Sequence, residues 1–324
     1  MPEQFLFDWQ TLMVAIQLWL AGGNPYPGYM YEGRALHAGW YVYPPPSLLI
    51  GAPFALLPRQ VSGVLMLLVS IVGFEYWVRR TSQRSGLLWL VLWLPLWQGV
   101  WIGQVTLLAL VGFALAELAY KDRRDVYAGA LIALALLKPQ TVILPAAWFL
   151  FMALRERRWQ VLLSFGSVVV VLWGGILLVS GPMIYQTWFA ALSGYDDYLP
   201  NRPLLFPPFG LLMGILAAAF WWRFGQRDHV GALLLLNTFI YPLSVIYAAV
   251  GVAFVVIRRR PDWPWYPLIV SWFIPLIFVV ERTPDMIAAL TQSIIATGLL
   301  AGVCPVIPWR RGVAALIRTR QITS

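Results

Sequence analysis

The stretch Gln160-Val-Leu-Leu-Ser-Phe-Gly-Ser-Val-Val-Val-Val-Leu-Trp-Gly-Gly-Ile-Leu-Leu-Val-Ser180 contains no charged residue, and Arg155-Glu-Arg-Arg158 lies just ahead of it. An α-helix needs about 20 apolar residues to cross the hydrocarbon core of a bilayer. This stretch has that length, and the chain around it repeats the pattern. Of 324 residues, 60% are hydrophobic and 11% charged, with a mean hydropathy of +0.72. A soluble domain usually carries about 25% charged residues. Lipid can hide so much apolar surface, provided the backbone is satisfied inside helices. Strand-period alternation is absent, which argues against a lipid-facing barrel.

The expectation is an all-α polytopic membrane protein in a single domain over residues 1–324. Eleven spans are read: 60–78, 86–99, 104–120, 126–138, 141–154, 160–180, 206–222, 230–241, 243–257, 264–280 and 286–303. With that parity, Arg34, Arg59, Lys138, Arg202 and Arg282 fall on one side, and the other eighteen of the 23 Lys and Arg fall opposite. Positive charge concentrates on the cytoplasmic side of a membrane protein. Residues 1–58 and 181–205 are therefore expected as extracytoplasmic loops, and 304–324 as a cytoplasmic tail. The core would be 60–180, joined by C-terminal spans over 206–303. A prokaryotic plasma membrane is the expected location. An outside N-terminus without a signal sequence further implies a helix ahead of Met1. No internal repeat is visible.

Other composition signals weigh less. The 18 tryptophans and 14 tyrosines suit the membrane–water interface. The formal charge of +9 does not point to nucleic acid, because it sits in short loops between apolar runs. One cysteine, Cys304, excludes an intrachain disulfide.

Several spans are short, and their breaks fall on the outer side, at Gln98–Gln104, Lys138-Pro-Gln140 and Tyr241-Pro242. Irregular backbone at membrane depth needs protein or a water-filled cavity around it. A polar cavity opening outward is expected, with local bilayer thinning as the alternative. Asp8 stands ahead of an amphipathic stretch, Trp9 to Leu20. It fits an N-cap as well as a catalytic group. Tyr41-Val-Tyr-Pro-Pro-Pro-Ser47 reads as a stiff polyproline connection. Lys138, at a helix break in apolar sequence, is costly unless it faces water or an anion, or snorkels to the interface. Arg34, His37 and Arg202 can touch an anionic ligand or merely face solvent. Asp196-Asp197 alone make a weak cation site, so no metal and no cofactor are assigned. Glu75 and Glu117 have i,i+4 partners in Arg79 and Lys121. Trp93, Trp97 and Trp101 read as packing or belt residues before a sugar groove.

Taken in order, Asp8, the amphipathic stretch, Gly22-Gly-Asn-Pro-Tyr26, Tyr41-Val-Tyr-Pro-Pro-Pro46 and the apolar run to Pro58 resemble the first extracytoplasmic loop of family 87 glycosyltransferases. Gly103-Gln-Val-Thr-Leu107 and the helix end Gly129 to Pro139 are similar to later segments of that family. These enzymes belong to the GT-C superfamily, typified by polyprenol-phosphate-mannose-dependent α-mannosyltransferases. The resemblance implies a GT-C-like bundle, a polyprenyl-phosphate sugar donor and a lipid or glycan acceptor. It implies Asp8 as general base. For such a reaction the expected substrate contacts are Lys138, Arg34, His37, Tyr43, Gln104 and Arg202. Two other classes stay open: a lipid or solute transporter, and an inactive relative with a structural role.

Overall fold

The computed structural model describes residues 5–26, 41–198, 228–239 and 246–259, with isolated positions and short pieces between 212 and 295. Every regular element among them is a helix.

Helix α1 (Phe7–Leu20) buries Trp9, Leu12, Met13, Ala15 and Ile16. Its start differs from expectation. Leu6 precedes it in the left-handed region (φ 60), and Asp8 lies inside the first turn with no capping bond. The cause is tertiary: the Leu6 N–H donates to the Trp101 carbonyl at 2.9 Å, which fixes the chain one turn ahead of Gln10. Helix α2 (Pro46–Ala55) packs on α1. Here the triple proline is not an extended connection. Pro46 is the first helical residue, where a missing N–H costs nothing. The Pro44 carbonyl accepts both the Ser47 N–H (2.9 Å) and its hydroxyl (2.6 Å).

Helix α3 (Arg59–Ser82) is 24 residues long. The next expected span, 86–99, is broken into α4 (Leu87–Leu92) and α5 (Leu94–Ile102). Trp93 is extended there and Pro95 lacks the N–H that would continue the ladder. Helix α6 (Thr106–Lys121) leaves α5 at a bend of 114°.

Two hairpins follow, α6 with α7 (Asp125–Ala135) and α8 (Pro139–Arg155) with α9 (Trp159–Ser180). They close with the same turn. Arg123 and Arg157 are left-handed (φ 59 and 55), and the N–H groups of Arg124 and Arg158 reach back to Ala119 and Ala153, both at 2.8 Å. This is the Schellman closure, which satisfies the last carbonyls of a helix. A shared turn thus recurs although no sequence repeat is visible. Helix α9 passes through a π segment, Val170–Gly174. The segment after residue 180, expected as a loop, is helix α10 over Met183–Tyr198. Helices α11 (His229–Phe239) and α12 (Val250–Arg259) complete the described bundle, with a 3₁₀ turn, Ile246–Ala249, ahead of α12.

Two helices are long and apolar enough to cross a bilayer unaided, α3 and α9, and the bent pair α5–α6 makes a third if counted as one span. Eleven spans are not found among the described residues. Helices α7 and α11, of 11 residues each, reach only about 16 Å at 1.5 Å per residue, against a core of about 30 Å. After α7 the chain turns at Leu136 to Lys138, and Pro139 opens the next helix. The spans expected at 206–222, 264–280 and 286–303 lie almost wholly outside the described residues.

The bundle sorts its charges by end. At the turn end, Arg80 pairs with Asp122 at 3.1 Å and Lys121 with Glu117 at 2.6 Å. Arg258 bridges Glu117 and Asp228 there, and Arg158 meets Asp125. The opposite end carries the breaks before α6 and α8, and Asp8.

Candidate functional site

The end carrying the breaks gathers four of the residues singled out in the sequence. Gln104 and Lys138 precede α6 and α8. Asp8 belongs to the first turn of α1, and Tyr43 stands three residues ahead of α2.

Local structure explains why they meet. Gly103 ends α5 in the left-handed region at φ 72. A Cβ there would lie 3.0 Å from both Leu6 and Trp9 side chains and 3.1 Å from the Leu6 backbone. Only glycine lets the α5–α6 bend press against the start of α1. The bond from Leu6 to Trp101 fastens the same contact, and the Trp9 indole donates to Ser62 on α3 at 2.9 Å. Lys138 ends the irregular turn after α7. Pro139 opens α8 behind it, and the Thr141 hydroxyl donates to the Lys138 carbonyl at 2.7 Å.

The side chains form one chain of bonds. Gln104 Nε2 donates to Asp8 Oδ2, and Lys138 Nζ donates to Gln104 Oε1. The Thr106 hydroxyl donates to the same Oε1 at 3.3 Å, and Lys138 Nζ lies 3.4 Å from the Tyr43 hydroxyl. The ammonium also sits 5.3 Å from the Tyr43 ring centre and 5.6 Å from that of Tyr247. Lys138 and Gln104 are both buried. Burial pushes the Asp8 carboxyl above its ordinary value of 3.8, while the Lys138 charge and the Gln104 bond hold part of that rise back. No ion pair joins Asp8 to Lys138 among the described residues. The amide of Gln104 stands between them.

Lys138, Tyr43 and Ser47 supply the polar lining of a cavity of about 260 Å³. Its walls are otherwise almost all apolar, among them Phe54, Met66, Leu108 and Leu134. Val69 on α3 and Leu134 on α7 line it and remain exposed, so among the described residues it opens on that side. A second, water-sized space lies near Lys138, lined by Thr106, Gln140, Thr141, Asn237 and Thr238. Asn237 is buried and spans two points of α8. Its Oδ1 accepts from the Leu144 N–H at 3.0 Å and its Nδ2 donates to the Gln140 carbonyl at 2.8 Å.

Arg34, His37 and Arg202 lie outside the described residues, as do the side chains of Asp196 and Asp197. Arg59 binds Gln17 Oε1 at 2.7 Å, away from Lys138. Trp93 is fully buried, while Trp97 and Trp101 stack at 5.6 Å. Tyr247, Thr106 and Asn237 were not singled out by the sequence. The Tyr241-Pro242 break pointed to the neighbourhood of Tyr247. Thr106 lay in the quoted Gly103–Leu107 segment with no role of its own, and nothing marked Asn237.

The model of glycosyltransferase family 87 matches residues 41–278, and the chain belongs to that family. Tyr43, Gln104 and Lys138 fall within the matched stretch and Asp8 falls ahead of it. No curated protein and no solved structure matches the chain.

Proposed function

We propose that this glycosyltransferase moves a sugar, mannose by analogy with its family, from a polyprenyl-phosphate donor to a hydroxyl of a lipid or glycan acceptor. The fold would be of the GT-C type, in a prokaryotic plasma membrane with the site facing outward. The observation that carries this reading is the bond chain Asp8–Gln104–Lys138 beside an apolar cavity. The cavity suits the first part of an isoprenoid chain. Lys138 and Tyr43, which line it, suit the phosphate that follows.

In the reaction, the acceptor oxygen attacks the sugar's anomeric carbon while its proton passes to the Asp8 carboxylate. A general base of this kind is worth about 10²–10⁴ in rate. The bond from the anomeric carbon to the phosphate oxygen breaks, and the sugar carries positive, oxocarbenium-like character on the way. Both electrons of that bond stay with the phosphate. Lys138 and the Tyr43 hydroxyl stabilise the charge that grows there. Arg34, His37 and Arg202 are proposed as further contacts to phosphate or sugar.

Membranes bearing the protein, supplied with polyprenyl-phosphate mannose labelled in the sugar, test the reading. Transfer in wild type and its loss in Asp8→Asn is the expected result. Equal transfer in both removes Asp8 as the base. No transfer from any polyprenyl-phosphate hexose, with correctly folded protein, removes the donor class.

A further inference from the structure

Gln104 was expected to contact substrate, but its polar atoms are already occupied. Oε1 accepts from Lys138 and from Thr106, and Nε2 donates to Asp8. Its backbone N–H is taken by the Gly99 carbonyl at 2.8 Å. The side chain is 5% exposed. One N–H of the amide is all that remains for a ligand. A buried amide with one donor and one acceptor turned to opposite charges does something a direct ion pair cannot. It satisfies both partners and keeps them separate.

The rest of the molecule shows what happens without such a spacer. Asp125 meets Arg158 directly, and Glu117 and Asp228 meet Arg258 directly. A carboxylate closed onto a cation is a weaker base, and a cation closed onto a carboxylate is less free to bind phosphate. The turn that holds Gln104 is fixed on both sides. Gly103 packs against Leu6 and Trp9, and α1 is fastened to Trp101.

We propose that Gln104 is a positioning residue that holds Asp8 and Lys138 apart, so that the base and the phosphate-binding cation are both kept available. The proposal rests on the roles given to Asp8 and Lys138 above. Among the described residues, the titratable groups around the pair are Tyr43 ahead of α2 and Tyr247 ahead of α12, both facing Lys138. Arg59, at the start of α3, is engaged by Gln17 further along α1. Among the described residues, Asp8 thus has one close cation, reached through one amide.

The test reads the Asp8 carboxyl directly. The full chain in lipid nanodiscs is titrated by infrared difference spectroscopy, with Asp8→Asn identifying the band. Gln104→Ala and Gln104→Ser open the gap, and either is read once it elutes as a single species. Lys138 then reaches Asp8, and the midpoint falls by about 1–3 pH units, as for an acid beside a cation. Gln104→Leu fills the gap without bonding, and its midpoint does not fall. A midpoint that stays or rises in the small variants overturns the proposal, as does an equal fall in Gln104→Leu. The spectrum does not depend on turnover. A protein inactive toward polyprenyl-phosphate mannose would defeat the proposed function and leave this result standing.

Discussion

The two ends of the bundle treat charge in opposite ways. At the turn end acids and bases close on each other: Arg158 with Asp125, Arg258 with Glu117 and Asp228. The Arg158 guanidinium also lies over the Tyr120 ring at 3.6 Å and donates to the Tyr120 carbonyl at 2.9 Å. The acids and bases of these clusters are answered inside the fold, and the clusters pin helix to helix: α7 to α9, and α6 to α12. At the other end Lys138 is buried and Asp8 half-buried, yet an amide separates them and an open cavity adjoins the lysine. Saturated charges hold a structure together. Charges kept from saturation are held for something not yet bound.

That contrast can be broken from either side. The largest effect is expected at Asp8. Asp8→Asn should lower the transfer rate by about 10²–10⁴-fold with little change in thermal unfolding of the detergent-solubilised protein. A matching loss of stability would place Asp8 with the structural charges. Arg258→Ala should do the reverse, because it leaves Glu117, which is 3% exposed, with only the exposed Lys121, and takes the guanidinium from Asp228. Breaking a buried pair from one side costs about 3–5 kcal/mol, read as a lower midpoint of thermal unfolding.

The pH dependence sharpens the end that carries Asp8. Asp8 acts ionised, so kcat/KM should fall as pH drops through a value above the ordinary carboxylate range, in keeping with the raised Asp8 carboxyl. Removing the Lys138 charge in Lys138→Met should move that acid limb further up, by about one unit or more. A limb that moves down would mean the two groups are not electrostatically linked. Asn237→Ala leaves the Leu144 N–H and the Gln140 carbonyl without their partner, at a cost of about 1–3 kcal/mol. Its KM for the donor should rise more than kcat falls, because the α8 turn that carries Lys138 loosens. The smallest effect is expected at the exposed pair Arg79–Glu75, 2.5 Å apart one turn from each other. Arg79→Ala should cost at most about 0.5 kcal/mol.

Much of this was legible in the sequence where the cause is local. The helix break at Lys138-Pro139, the glycine at 103 and the i,i+4 pairs of Glu75 and Glu117 are set by neighbours along the chain. The gathering of Asp8, Tyr43, Gln104 and Lys138 followed from their order in a resemblance, and the structure brings these four together. What was missed has tertiary causes. Asp8 read as an N-cap because nothing in the sequence says that Leu6 bonds to Trp101. Glu117 read as a partner of Lys121 alone, because Arg258 and Asp228 arrive from helices far along the chain. The triple proline read as extended because the proline signal for a stiff segment is also the signal for a first helical turn. The span count came from hydropathy, which does not see where α4 and α5 part.

Asn237 carries one more consequence, for the making of the protein. It serves a helix that leaves the ribosome 97 residues before it, since its amide binds Gln140. At roughly 5–20 residues per second, α8 waits about 5–20 s for this partner. During that interval the turn holding Lys138 is translated and inserted but not yet fixed. The site is therefore completed late, by a docking step of the C-terminal half, and a nascent chain arrested before residue 237 would carry every residue of the Asp8–Gln104–Lys138 chain without the side chain that spans Gln140 and Leu144.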